Sequence, residues 1–196
     1  KSRMERYFDT KISFDELKAE GHPLSRDAAA HNAKKAREKV SASEGFLPER
    51  VCRYAIRPFD VCWCYYTGVS SVWNRPRPTL WRQCWKDNRF FLTRFNSAKG
   101  NEGVPFFFTT LLSDDHFLAP DAVAVPFRLK SDTEQQAGTL PGMEKTAHIT
   151  ANLSPLARSY LSKLGLPDPD AAPAIAELIW YHALAIGYSP AYLTEN

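Results

Sequence analysis

The sequence predicts an α+β fold: short N-terminal helices, a central, mainly antiparallel β region, then C-terminal helices. Three observations carry this prediction. Capped segments rich in alanine and lysine occupy the first 45 residues. From residue 51 to about 129 the chain turns to short runs of β-branched and aromatic residues punctuated by Gly, Pro, Asn and Asp. Beyond residue 150 apolar residues recur at helical spacing. At 196 residues, 44% apolar and 24% charged, the chain fits one domain with helical appendages. It divides as a helical lead, residues 1–45, and a main domain, residues 46–196.

Taken in order, the aromatic and charged stretch MERYFDTKIS leads into Ser13 and Glu16, which have capping-box spacing. A helix over residues 14–20 follows, closed by Gly21. After Pro23, Ser25 or Asp27 can cap a second helix over residues 28–40, which carries His31, Lys34, Lys35, Arg37 and Lys39. Strands are expected at residues 51–56, 61–66, 90–95, 104–112 and 123–129, with a Pro76/Pro78 turn and LWRQCW between the second and third. NSAKGNEG (96–103) reads as a polar loop and residues 131–145 as a linker. Ser154 caps a helix with Pro155 at its first position, an apolar stripe of Leu156, Tyr160, Leu161 and Leu164, and a stop at Gly165. The last helix spans residues 172–186, with Ile175, Leu178, Ile179, His182 and Ile186 on one face. No repeat, signal peptide or apolar run of membrane-spanning length occurs.

The formal charge of +3 conceals an asymmetry. Residues 1–95 hold 19 Lys/Arg against 11 Asp/Glu, whereas the remainder holds 6 against 11. From Arg53 to Arg94, eight basic residues face only Asp60 and Asp87, interleaved with Trp63, Tyr65, Tyr66, Trp73, Trp81 and Trp85. Guanidinium groups pair bidentately with phosphate or with a guanine edge, and flat rings supply rigid contact area, so the pattern points to a polyanion-reading surface. The candidate DNA-binding residues are Arg57, Arg75, Arg77, Arg82, Gln83, Lys86, Arg89, Asn96, Lys99 and Asn101. Lys34, Lys35, Arg37 and Lys99 would contact phosphates. Trp63, alternating within VCWCYY, is assigned to the core, and Trp73, Trp81 and Trp85 to the contact surface. Cys52, Cys62, Cys64 and Cys84 form no CxxC pair and read as buried, reduced thiols.

Enzyme motifs are missing: there is no glycine-rich cofactor loop, no (D/N)PP(Y/F/W), no GxxxxGK(S/T), HExxH or GxSxG. The expectation is no catalytic residue, no metal and no cofactor in this chain. Two constellations stand as alternatives. Asp114-Asp115-His116 offers two carboxylates and an imidazole, although consecutive turn residues do not converge easily on one ion. Arg57 and Asp60 would pair across the turn of RPFD, although Arg57 could also point at a base.

RYAIRPFDVCWCYYTG (53–68) and WNRPRPTLW (73–81) resemble the specificity region of Type ISP restriction-modification enzymes. MERYFDTKISFDELKA, LLSDDHFLAPDAVAVPF and AELIWYHALAIGYSPAYL match in the same order, so the resemblance spans nearly the whole chain. The chain departs from the family pattern at Cys62, where the family has arginine, and at IGYSPAY, where the family reads LHSPAY. The resemblance implies a cytoplasmic target-recognition domain for double-stranded DNA, its lead continuing from a preceding methyltransferase domain, cut from a longer chain beginning before Lys1. The parent would use S-adenosylmethionine to methylate adenine N6, and this piece would meet its methyltransferase and its translocase or nuclease domains, with no membrane partner. The rival readings are an interaction or spacer module and a free-standing enzyme around Asp114, Asp115 and His116.

Overall fold

The computed structural model describes residues 2–96, 104, 106–118, 121–131 and 148–195. Helices gather at both ends and strands in the middle, so the α+β reading holds. No helix among the described residues is long and apolar enough to cross a membrane. The chain forms two compact units, residues 1–54 with 62–78 and residues 55–61 with 79–196.

The first unit contains α1 (Ser2–Phe8), α2 (Phe14–Ala19), α3 (Ala33–Ser43) and the base of a hairpin made by β1 (Val51–Arg57) and β2 (Asp60–Tyr65). The capping box forms as expected: Ser13 Oγ accepts from the Glu16 N–H at 3.1 Å, and Glu16 Oε2 accepts from the Ser13 N–H at 2.6 Å. The next helix starts later than expected, at Ala33 rather than residue 28. Residues 28–31 close a tight turn through paired 3.0 Å backbone bonds between Ala28 and His31. Asn32 then caps α3, while Asp27 accepts from the Ala33 N–H at 2.8 Å. Side-chain bonds to the backbone out-compete another turn of helix here. Ala33, Ala36 and Val40 face inward, three and four residues apart, which leaves Lys34 and Lys35 outside. Arg37 is not available for phosphate, contrary to expectation. It donates to the carbonyls of Tyr7 (2.7 Å), Asp9 (2.8 Å) and Ile12 (2.7 Å), tying α3 to the end of α1 and the segment that follows it. The core gathers Tyr7, Phe8, Leu17, Val40 and Tyr65. Burial pushes the phenol of Tyr7 up to about 12, partly offset by Arg37, and burial likewise pushes Tyr65 to about 12.

The second unit begins with the hairpin tip. Its two-residue link, Pro58–Phe59, holds Phe59 at φ 66°, where a type II turn takes glycine. A left-handed conformation costs a side-chain-bearing residue about 1–2 kcal/mol. β5 (Leu112–Ser113) joins this sheet beside β1, and the Asp114 N–H donates to the Ala55 carbonyl at 2.8 Å. In a second sheet, β3 (Phe90–Thr93) lies between β4 (Phe107–Thr109) and β6 (Val123–Pro126), antiparallel to both, with Phe91 opposite Phe108 and Val125. β7 (Arg128–Ser131) pairs antiparallel with β8 (His148–Ala151), a strand the sequence pattern did not announce. The expected strands 104–112 and 123–129 are each divided. The first is broken where Thr109 Oγ1 captures the Leu111 N–H at 3.0 Å, and the second at Phe127, fully buried with its N–H on the Arg89 carbonyl at 2.8 Å.

Helices α4 (Pro78–Trp81), α5 (Pro155–Lys163), α6 (Pro173–Gly187) and α7 (Pro190–Glu195) complete the unit. Ser154 caps α5 as expected, accepting from the Ala157 N–H at 3.2 Å. On α6 the inner face is rotated from the expected one. Ala176, Glu177 and Gly187 are buried, while Leu178 and Ile186 are exposed. Aromatic packing decides this: Trp180 stacks on Phe127 at 5.4 Å and meets Phe91 at 5.7 Å. Gly187 is required by close approach, since a Cβ there would lie 2.2 Å from the Phe106 ring. Ala55, Phe90, Leu92, Phe117 and Leu118 form the unit's core.

Candidate nucleic-acid interface

Within the first unit, the hairpin base places cations and rings at the surface. Trp63 shares a strand face with Tyr65, but the core helices cover only the Tyr65 end. Trp63 is therefore 68% exposed, not core, and the Arg53 guanidinium lies over its ring at 5.5 Å. Trp73 has the opposite fate. Its Nε1–H donates to the Tyr65 carbonyl at 3.0 Å and its ring packs on Tyr54 (5.0 Å) and Tyr66 (5.4 Å), so the expected contact residue is a packing residue. Both tryptophans line a largely apolar cavity of about 440 Å³ with Tyr7, His22 and Tyr65. Arg75 is exposed, and Arg77 is half-buried with its backbone N–H on the Tyr66 hydroxyl at 2.8 Å. Lys35, beside Asn32, His31, Ser70 and Asn74, lines a groove of about 500 Å³ that composition alone did not single out.

All four cysteines are thiols rather than disulfides, and they are half-buried, not fully buried as expected. Cys52 and Cys64 stand 3.5 Å apart at sulfur, and their hydrogen bond lowers the Cys52 thiol pKa and raises that of Cys64.

In the second unit the candidate residues separate into two groups. Arg57, Arg82, Lys86 and Asn96 are exposed. Arg57 donates to the Ile56 carbonyl at 2.8 Å and sits 3.6 Å from Asp114, not paired with Asp60. Gln83 and Arg89 are structural. Gln83 is 7% exposed; its Nε2 donates to the Lys130 carbonyl at 3.2 Å and its Oε1 accepts from the Lys130 N–H at 2.7 Å. Both ends of this buried amide thus bond the backbone of β7. Asn88, fully buried, repeats the device: it donates to the carbonyls of Gln83 (2.8 Å) and Arg128 (3.0 Å) and accepts from the Arg128 N–H (3.2 Å). Arg89 forms an ion pair with the buried Glu177, whose other oxygen accepts from the Tyr181 hydroxyl at 2.8 Å. Of the remaining candidates, Trp81 and Trp85 are half-buried, with Arg128 over the Trp85 ring at 5.9 Å. Lys99 and Asn101 lie outside the described residues.

The Asp114-Asp115-His116 turn draws its ligand atoms to within 4.8 Å of one another, closer than expected for consecutive residues. Within the turn the His116 N–H donates to Asp114 at 2.9 Å and the His116 ring reaches Asp115 at 3.0 Å, while Arg57 lies 3.6 Å from Asp114.

In the first unit Arg53, Trp63 and Arg75 are exposed, and in the second Arg57, Arg82 and Lys86. No curated protein and no solved structure matches the chain. A family model described as the Type ISP C-terminal specificity domain matches residues 1–196, end to end. The chain belongs to the family of Type ISP C-terminal specificity domains.

Proposed function

We propose that this chain reads the target sequence in double-stranded DNA for a restriction-modification adenine (N6) methyltransferase and is catalytically inert by itself. Family membership over the whole length carries the reading, because that family supplies sequence-specific DNA recognition within restriction-modification enzymes. The exposed Arg53–Trp63 pair and the exposed cations Arg57, Arg75, Arg82 and Lys86 support it chemically. Lys34, Lys35 and Lys99 hold phosphates; Arg75, Arg77, Arg82, Asn96 and Asn101 meet base edges, arginine suiting guanine and asparagine adenine. Residues 1–45 lead from the methyltransferase domain, which binds S-adenosylmethionine and acts on a flipped adenine in the cytoplasm, while residues 46–196 read the flanking sequence.

The test is fluorescence anisotropy of this chain with a random-sequence duplex across a salt series. Log affinity should fall linearly with log salt, with a slope of about −0.9 per phosphate contacted. Arg75→Ala and Arg82→Ala should each cost about 1–3 kcal/mol, confined to one base position for a base reader and uniform for a phosphate contact. A folded sample that fails to bind at low salt refutes the reading.

One observation favours a second role alongside it. Leu156 and Tyr160 on α5 and Leu164 at its C-cap, four residues apart, are 84%, 50% and 56% exposed. A continuous apolar stripe on a surface helix suits docking onto the parent's methyltransferase or translocase domain. Leu156→Ser with Leu164→Ser should weaken that assembly and leave duplex binding intact.

A further inference from the structure

The most conspicuous exposed residue outside the surfaces described above is Phe59. Its side chain is 101% exposed, at the outermost point of the β1–β2 hairpin. Its backbone stands at φ 66°, a conformation a turn ordinarily gives to glycine. Neither fact serves the fold. The ring buries nothing, and its Cβ makes the turn harder to form. An apolar side chain held in that posture points to a contact made outside the chain.

The support behind it is rigid. Ala55, just inside the tip on β1, is 3% exposed and packs with Phe90, Leu92, Phe117 and Leu118, and Val61 packs on the same core from β2. The Ala55 carbonyl is tied to the Asp114 N–H at 2.8 Å. The hairpin end is therefore anchored immediately behind its projecting residues. Those residues are an arginine, a proline, a phenylalanine and an aspartate, with Arg57 and Asp60 both exposed. Arg57 is exposed, rests 3.6 Å from Asp114 and donates to the Ile56 carbonyl at 2.8 Å, contacts that an incoming phosphate would replace.

We propose that this tip is a DNA wedge: Phe59 enters between two stacked base pairs, and Arg57 takes the phosphate beside the opened step. This rests on the DNA-reading function and adds to it a residue that positions and deforms the duplex. A two-stranded ribbon fits a groove of B-DNA, and Phe and Pro are side-chain types that separate base steps. A protein-docking anchor is the weaker fit. Such anchors cluster with one another in a patch whose surrounding contacts exclude water, whereas Phe59 projects alone between Pro58 and the charged Asp60.

The experiment uses the intact 196-residue chain and random-sequence duplexes carrying 2-aminopurine in place of adenine, whose emission rises on unstacking. With wild type at saturation, emission should rise several-fold. Phe59→Ala and Phe59→Gly should remove most of that rise and weaken binding by about five- to a hundredfold, the scale of one lost base–aromatic stack. Phe59→Trp should keep both. Because the ring is fully exposed, Phe59→Ala should remain folded, and circular dichroism checks this; Phe59→Gly also relieves the turn. If wild type binds with no rise in emission, or Phe59→Ala behaves as wild type, the wedge is refuted while DNA reading stands. Failure of wild type to bind duplex refutes both. If Phe59→Ala keeps the emission change but loses association with the parent methyltransferase domain, the tip is a protein anchor and the wedge is wrong.

Discussion

Gln83 is the residue whose two readings diverge most sharply. By type and neighbourhood it is an adenine reader; by position it fastens the segment after α4 to β7. Gln83→Ala removes two hydrogen bonds to Lys130, at 2.7 and 3.2 Å. Each contributes about 0.5–1.5 kcal/mol net. Lys130 is itself exposed, so water can rehydrate its freed backbone groups and the penalty for unsatisfied partners is small. The expected loss is about 2 kcal/mol. For a chain of this length each kcal/mol lowers Tm by about 2–4 °C, so the transition should fall by about 4–8 °C. Urea unfolding followed by tryptophan fluorescence measures the loss, and anisotropy with a random duplex at low urea measures binding by the folded fraction. The salt slope of binding should be unchanged. An unmoved urea midpoint together with altered preference at a single base pair would show that Gln83 reads DNA and that the assignment to β7 is wrong.

Three further outcomes test other parts of the structure. Arg89→Ala leaves Glu177 charged and buried and should destabilise by about 2–3 kcal/mol, less than a wholly buried pair because the arginine is partly exposed; Arg89→Met with Glu177→Leu should recover most of it by calorimetry. Trp73→Ala should cost about 3 kcal/mol through lost packing, whereas Trp63→Ala should cost under about 1 kcal/mol and reduce duplex affinity instead. The buried phenols set an alkaline limit: Tyr7 and Tyr65 titrate near 12 when folded, above the ordinary value of 10. A raised folded pKa gives stability that is complete below about pH 10 and lost as pH climbs through about 12. The urea midpoint should fall across that window, and less steeply in Tyr7→Phe.

Local chemistry made much of the chain legible. The Ser13/Glu16 box, Ser154 before Pro155 and the alternating hairpin strands act through neighbours a few residues apart, and each appears where the pattern places it. Where distant groups compete, the pattern misled. Asn32 and the bonded turn before it displaced the start of α3, and Trp180 stacking on Phe127 rotated the inner face of α6.

The same division runs through the candidate site. Sequence by itself determined that cations and flat rings crowd between residues 53 and 94 and that helices flank a β region, because composition, capping and spacing are local properties; the resemblance to a specificity domain rests on whole motifs such as RYAIRPFDVCWCYYTG. Tertiary structure alone decided which of those side chains remain available. Arg37, Gln83 and Arg89 are spent on carbonyls, a strand backbone and a buried carboxylate brought from as far as 88 residues away, while Trp63 and Phe59 are left facing solvent. Charge and shape are written in the residue, but availability depends on partners that only the folded chain assembles.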